Sequence, residues 1–285
     1  MKQFLHGFAA WGLLVGLTGP AQTQYDFTTV EPPDAISSHA IGINDVGQIV
    51  GGYYDGVTNH GFLLSDGNYT SIDVPEATRP GTVALGINNA GQIVGQYFDA
   101  GAISHSFLLD VDGSYTTINP PGSGNSIAGG INTAGQIVGW YFDGVTSHGY
   151  LLDVDGSYTT FDAPEATLGT FAYGINDAGQ IVGLYSDAAG HHGYLLDVDG
   201  SYTPLDVPGT TITEAHGINS AGQIVGWFAA GPLNHGFLLS NGSYTTLAVP
   251  GARDTFAYGI NTTGQIVGVY RPAGGSPHGF LATPP

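Results

Sequence analysis

The chain has 285 residues, no cysteine, 47 glycines and a formal net charge of −19. Without cysteine there is neither a disulfide framework nor a thiolate metal site. Only Lys2, Arg79, Arg253 and Arg271 stand against 23 acidic residues, so the surface repels phosphate backbones and anionic lipid heads. That argues against nucleic acid and membranes as partners and leaves cations, neutral glycans or proteins.

The first element is a leader. MKQFLHGFAAWGLLVGLTGPAQ has a basic start at Lys2, an apolar run from Phe4 to Leu17 and small residues after it. It reads as a secretory signal peptide over residues 1–21, cut near Ala21. The run is short for a membrane span and is broken by His6 and by glycines. The mature chain, 22–285, is therefore expected to be secreted, extracellular or periplasmic, without membrane insertion, and monomeric.

From Gly42 onward the chain repeats itself. GINDVGQIVG starts at Gly42, and close copies start at Gly86, Gly130, Gly174, Gly217 and Gly259, a period of about 44 residues. A period of this size, rich in β-formers, predicts propeller blades of about four strands each. In the third repeat the strands are expected at 126–132, 135–142, 148–152 and 157–162. The N-x-x-G-Q turn suits a hairpin, with Asn opening a type I turn and Gly supplying the positive φ of a bulge. Asp66-Gly67 and Asn241-Gly242 fit two-residue type I′ hairpins. A proline recurs at 33, 75, 121, 164, 208 and 250, where a residue without a donor suits the outer edge of a sheet.

The ends predict how the ring closes. The last repeat stops after HGFLATPP, one strand short, and FTTVEPPDA (27–35) aligns with the fourth strand YTTFDAPEA (158–166). The expected fold is all-β: a six-bladed β-propeller with four antiparallel strands per blade, closed by the N-terminal strand completing the last blade. Closure removes the exposed sheet edges at the seam.

With GINDAGQIVG (174–183) and the downstream His-Gly-Phe or His-Gly-Tyr in view, the chain resembles the HAF-repeat family of extracellular bacterial repeat proteins. Its copies read HGF at 60, 235 and 278, HGY at 148 and 192, and HSF at 105. The family's alanine is missing throughout, which makes this chain similar to a variant branch. The resemblance covers roughly residues 25–282. It implies an exported, propeller-like repeat protein and brings no catalytic residue with it.

Residues present in all six repeats are read as scaffold. Asn44, Asn88, Asn132, Asn176, Asn219 and Asn261 form turns. His60, His105, His148, His192, His235 and His278 open the third strand and bond loop backbone. Four of these histidines follow an aspartate, which makes Asp55 with His60 and Asp143 with His148 the candidate metal pairs. DVDG at 110–113, 153–156 and 197–200 invites Ca2+, but two aspartates in a tight hairpin supply too few oxygens for a calcium loop. No metal or cofactor is expected, with weak Ca2+ binding as the alternative.

Chemistry is expected where the pattern breaks. In the innermost strand, His39, Glu214 and His216 interrupt a mostly apolar set and are the candidate catalytic residues. Glu214 and His216 are two apart and should share one face of the strand. Tyr173 and Tyr258 flank them on the neighbouring blades, and Trp140 and Trp227 share a variable place in the second strand; these four are the candidate ligand-binding residues. The function read from this is an extracellular binding or interaction module for a glycan or protein ligand. The alternatives are a hydrolase or lyase acting on a carbohydrate or lactone at the central channel, and a purely structural or adhesive repeat protein. The fold hosts all of them.

Overall fold

A computed structural model describes residues 25–285 except Arg79. The expected signal peptide, residues 1–21, lies outside the described residues. The 24 strands, β1–β24 in chain order, form six antiparallel four-stranded sheets, with no helix among the described residues. Blade 1 shows the plan: β2 (Ser37–Ile43), β3 (Ile49–Tyr54), β4 (Asn59–Ser65) and β5 (Asn68–Ile72) lie side by side in that order. In blade 3 the strands begin at Asn125, Ile137, Ser147 and Tyr158, so Gly135 and Gln136 belong to the turn.

Blade 6 closes the ring as expected. Its strands β22 (Ala252–Ile260), β23 (Ile266–Pro272) and β24 (His278–Thr283) take β1 (Asp26–Val30) as the fourth, paired from Asp26 with Thr283 to Val30 with Gly279.

Each hydrophobic core lies between two blades. Val50, Ile72 and Val74 of blade 1 meet Ala84, Ile87 and Phe107 of blade 2, and Val30 and Val267 of blade 6 meet Ala40, Ile43 and Phe62 of blade 1. One aromatic at the same place in the third strand is buried in every blade: Phe62, Phe107, Tyr150, Tyr194, Phe237 and Phe280. Burying a side chain of this size stabilises by roughly 1.5–3 kcal/mol.

The Asn turns do more than turn. In blade 3, Gly135 N–H donates to the Asn132 carbonyl at 3.0 Å, and Gly135 has φ 91°, as a type I turn with a glycine bulge requires. The Asn132 side chain then accepts from Gln136 N–H and donates to the backbone carbonyl of Asn176 in the next blade. The same interblade bond runs from Asn44 to Asn88, from Asn88 to Asn132, from Asn176 to Asn219 and from Asn219 to Asn261. Asn261 donates to Asn44 and closes a ring of six.

The prolines close the fourth strand, as expected, from the turn that follows it. They lie beyond the fourth strand, at the second position of the turn that carries the chain to the next blade. In blade 1 the Ala77 N–H donates to the Val74 carbonyl around Pro75, and in blade 3 Ala166 N–H donates to Ala163 around Pro164. Proline pre-sets the φ that this turn position needs.

A β-bulge interrupts every innermost strand. In blade 1 the pairing with β3 steps from Ala40 to Gly42, so Ile41 is left unpaired. The corresponding residues are Leu85, Gly129, Tyr173, His216 and Tyr258. The bulge also explains the last glycine of the motif. A Cβ on Gly139 would stand 2.0 Å from the Ile127 carbonyl oxygen, and Gly51, Gly95, Gly183, Gly226 and Gly268 are crowded in the same way.

Candidate functional site

A bulge re-aims the side chain it leaves unpaired. All six bulge residues line the central channel, where Ile41, Leu85 and Gly129 face Tyr173, His216 and Tyr258. Below them the channel is narrow, lined by Ile43, Ile87, Ile131, Ile175, Ile218 and Ile260 and by the motif's opening glycines. Its far end is the Asn ring, rimmed by Asp45, Asn89, Thr133, Asp177, Ser220 and Thr262. At the near end it widens into a cavity of about 310 Å³ lined by His39, Ile41, Leu85, Gln96, Ile127, Gly129, Trp140, Tyr173, His216 and Tyr258. That volume is at the small end of ligand pockets. None of these lining residues is Asp, Glu, Lys or Arg.

The cavity has two unlike walls. Ile41, Leu85 and Ile127 make an aliphatic side. Opposite them the His216 ring stacks on Tyr173, with centroids 4.4 Å apart and planes at 14°, and meets the edge of Tyr258 at 4.9 Å. Burial pushes both tyrosine hydroxyls above their usual range, and the Glu214 charge adds to the effect, so both are neutral donors. His39 is held below the usual histidine range by burial first and by the Arg271 charge second.

Glu214 stands behind this wall and is absent from the cavity lining. In blades 1 and 3 the residue two before the bulge lines the cavity together with the bulge residue, as His39 does with Ile41 and Ile127 with Gly129, so it is the partners of Glu214 that set it back. Glu214 and His216 still meet, with His216 Nε2 3.2 Å from Glu214 Oε2. Trp227, opposite Glu214 in the strand pairing, donates its indole N–H to the same oxygen at 3.1 Å. His191, which opens β16 (His191–Leu196) on blade 4, places Nδ1 3.0 Å from Oε1. Burial alone would raise the Glu214 carboxyl, but His216 and then His191 outweigh it and hold it below the usual carboxylate range.

The structure therefore brings His39, His216, Tyr173, Tyr258 and Trp140 into one cavity and leaves out Glu214 and Trp227. Trp227 packs on Phe256 at 5.2 Å, and its N–H is committed to Glu214. Sequence reasoning missed Gln96 and His191. Gln96 occupies the Trp140 place in blade 2, and His191 is the extra His before the HGY copy, so both were detectable as pattern breaks.

The outer histidines lie on the same face as the cavity, and three of them, His60, His148 and His192, each stand between two aspartates. His60 Nδ1 is 2.7 Å from Asp73 and its Nε2 is 3.4 Å from Asp55; His148 sits likewise between Asp162 and Asp143. His278 reaches Glu31 at 3.2 Å, which pins the N-terminal strand. The rings of His60 and His148 also pack on Tyr53 and Tyr141. The candidate metal pairs Asp55–His60 and Asp143–His148 are thus in contact, but the second carboxylate lies at the opposite ring nitrogen, so the three groups do not converge. Among the described residues no group of three or more His, Asp or Glu is arranged to hold a metal ion. In the DVDG turns, Asp110 and Asp112 accept from the N–H groups of Val111 and Ser114, so both carboxylates serve the hairpin.

Fold and channel together define a six-bladed β-propeller. No family model matches the chain, and no curated protein matches it in sequence. Solved structures do match in fold. A streptogramin B lyase superposes with TM-score 0.53 at 14% identity, covering 92% of this chain and 98% of that one. A putative gluconolactonase gives 0.53 at 11%, covering 91% and 92%. The Aleuria aurantia lectin in complex with Fucalpha1-6GlcNAc gives 0.54 at 16%, covering 88% and 93%. Likeness at this identity is likeness of fold.

Proposed function

We propose that the protein is an exported β-propeller binding module, of the HAF-repeat type its motifs resemble, and that the wide end of the channel takes the end of an uncharged glycan. The observation that carries this is the cavity itself: about 310 Å³, uncharged in its lining, with Trp140, Tyr173, His216 and Tyr258 around it. Sugar rings present apolar C–H faces to aromatic walls and hydroxyls to polar atoms. The narrow channel below suits the end of a chain rather than a chain threaded through. A propeller lectin among the structural neighbours agrees with such a use of the fold.

The rival reading is a hydrolase or lyase acting in the same cavity, favoured by the Glu214–His216 pair. Against it, both Glu214 oxygens are already engaged, by His191 on one side and by His216 and Trp227 on the other. A carboxylate so saturated, and lowered in pKa, is a poor general acid.

The test is retention of residues 22–285 on immobilised neutral polysaccharides, with and without Ca2+, while released sugar is assayed. Retention without product is expected, and Tyr173→Ala and Trp140→Ala should lose it while still folding to the parent's strand content and melting cooperatively, though at a lower temperature. Retention unchanged in both variants refutes the site; released sugar establishes the enzyme.

A further inference from the structure

Six polar groups of the cavity wall have no hydrogen-bond partner among the described residues: the hydroxyls of Tyr173 and Tyr258, the ring nitrogens of His39, Nδ1 of His216, the Trp140 indole N–H and the Gln96 amide nitrogen. None of them is sealed from solvent; among the described residues the sealed side-chain polar atoms without a hydrogen bond are His192 Nε2, which lies 3.3 Å from Asp187, and Tyr202 Oη, both elsewhere. Unpartnered polar groups at a cavity wall are where a ligand's polar atoms go.

His216 is the group whose chemistry the structure decides. An ionised carboxylate only accepts hydrogen bonds, and an indole N–H only donates. Trp227 donates to Glu214 Oε2 at 3.1 Å, and His191 occupies Oε1. The His216 Nε2 that lies 3.2 Å from Oε2 must therefore carry a proton. In neutral His216 the other nitrogen, Nδ1, is then a bare lone pair. The ring cannot turn freely to change this, because it is stacked on Tyr173 and edged by Tyr258.

Resting on the binding reading above, we propose that Glu214 is a positioning residue that fixes His216 as its Nε2–H tautomer, so that Nδ1 accepts a hydrogen bond from a ligand hydroxyl. The consequence is a choice of ligand class. A hydroxyl donates to Nδ1 while its neighbours on the same sugar exchange hydrogen bonds with the Tyr173 and Tyr258 hydroxyls. A carboxylate in that place brings lone pair against lone pair, with the Glu214 charge behind it. The site selects neutral hydroxylated rings over their uronate counterparts.

The tautomer is read first, in the ligand-free mature chain at pH 8, from the 15N shifts and two-bond couplings of the His216 ring. The resonance is assigned by its loss in His216→Gln. A protonated Nε2 and a bare Nδ1 are expected. In Glu214→Gln the amide can donate to Nε2, so the Nδ1–H tautomer should appear. A parent protein in the Nδ1–H form, or a Glu214→Gln spectrum identical to the parent's, overturns the inference and leaves the binding reading standing.

The ligand class is read next, with methyl glycosides of glucose, galactose, mannose and N-acetylglucosamine against glucuronate and galacturonate. At least one neutral glycoside should move the His216 Nδ1 resonance, with affinity about tenfold weaker in Glu214→Gln, and the uronates should not. Uronates binding as well as neutral glycosides overturns the selection. The expected tautomer with no shift from any neutral glycoside overturns the binding reading itself.

Discussion

Replacing Asn132 by alanine tests the ring that joins the blades. The side chain is 3% exposed. Its amide donates to Gln136 Oε1 at 2.8 Å and to the Asn176 carbonyl at 3.3 Å, and its oxygen accepts from Gln136 N–H at 3.0 Å. Alanine leaves the Gln136 N–H and the Gln136 Oε1 without their partners, and it removes the bond to the Asn176 carbonyl, which keeps the Gly179 N–H. Each buried group so stranded costs about 1–3 kcal/mol. The narrow channel end beside the turn admits water to part of this loss, which brings the expected cost to about 2–4 kcal/mol. For a chain of this size that is a fall in melting temperature of roughly 4–12 °C. Urea titration and calorimetry should agree on it. Thr133→Ala, which removes an exposed bond to Asp177 at 3.1 Å, is the control and should cost under about 1 kcal/mol. An Asn132→Ala loss of less than about 0.5 kcal/mol would show that the ring is incidental to stability.

Three other outcomes follow from the same geometry. Deleting residues 22–31 strips β24 of its partner and of the Glu31–His278 contact, so the truncated chain should aggregate or melt more than about 10 °C lower; an unchanged melt refutes the closure. Gly139→Ala forces a Cβ against the Ile127 carbonyl, whereas Gly144→Ala, with nothing within 4 Å, meets only its positive φ of 99°. The first should cost over about 3 kcal/mol and the second about 1, and equal melts for the two would sink the crowding argument. The third outcome concerns pH. Glu214 and Asp45 have lowered pKa values in the fold, so their stabilisation is complete above the ordinary carboxylate range and fades as pH falls through the folded values. His192 is raised against the opposing effect of burial by its carboxylates, Asp206 first and then Asp187, so its contribution is complete below about pH 6.5 and fades as pH rises through the folded value. Glu214→Gln should flatten the acid limb of a urea-midpoint profile, and His192→Gln the limb above the ordinary histidine range; profiles parallel to the parent's would contradict these assignments.

Strand order and closure were legible in the sequence because both rest on local patterns. Alternation marks the strands, glycine and asparagine mark the turns, and the missing fourth strand of the last repeat has its counterpart in FTTVE at the other end. The bulge was not legible. Ser-x-Ala-x-Gly-Ile reads as simple alternation until its register against Ile-Val-Gly is known, and only that register leaves Ile41 or His216 unpaired. Glu214 and His216 do meet, as their spacing suggested, but Glu214 is held behind the cavity by His191 and Trp227, partners that the spacing does not show. The partners of the outer histidines were half legible. Asp55 and Asp143 precede their histidines closely, but Asp73 and Asp162 arrive from the far end of the fourth strand, 13 and 14 residues on. The Asn ring spans blades, and contact between copies of one motif leaves no trace in the spacing of that motif.

The bulge is also where this scaffold can vary at least cost. Residues on either side of it are committed: Ala40 and its counterparts are fully buried between blades, and the opening glycines pass so close to the next blade that a Cβ on Gly130 would stand 2.8 Å from the Tyr173 carbonyl. The bulged side chain meets neither constraint except in blade 3, where a Cβ on Gly129 would stand 2.9 Å from the Tyr173 carbonyl. It leaves the sheet for the channel, so glycine, leucine, isoleucine, histidine and tyrosine all occupy it in one molecule. The polar and aromatic choices fall on three consecutive blades, Tyr173, His216 and Tyr258, and the small or aliphatic ones on the other three. Six-fold scaffolding and a two-sided cavity are therefore compatible. The ring of cores and asparagines holds the blades in register, and a single position per blade, freed by the bulge, gives the cavity its polar side.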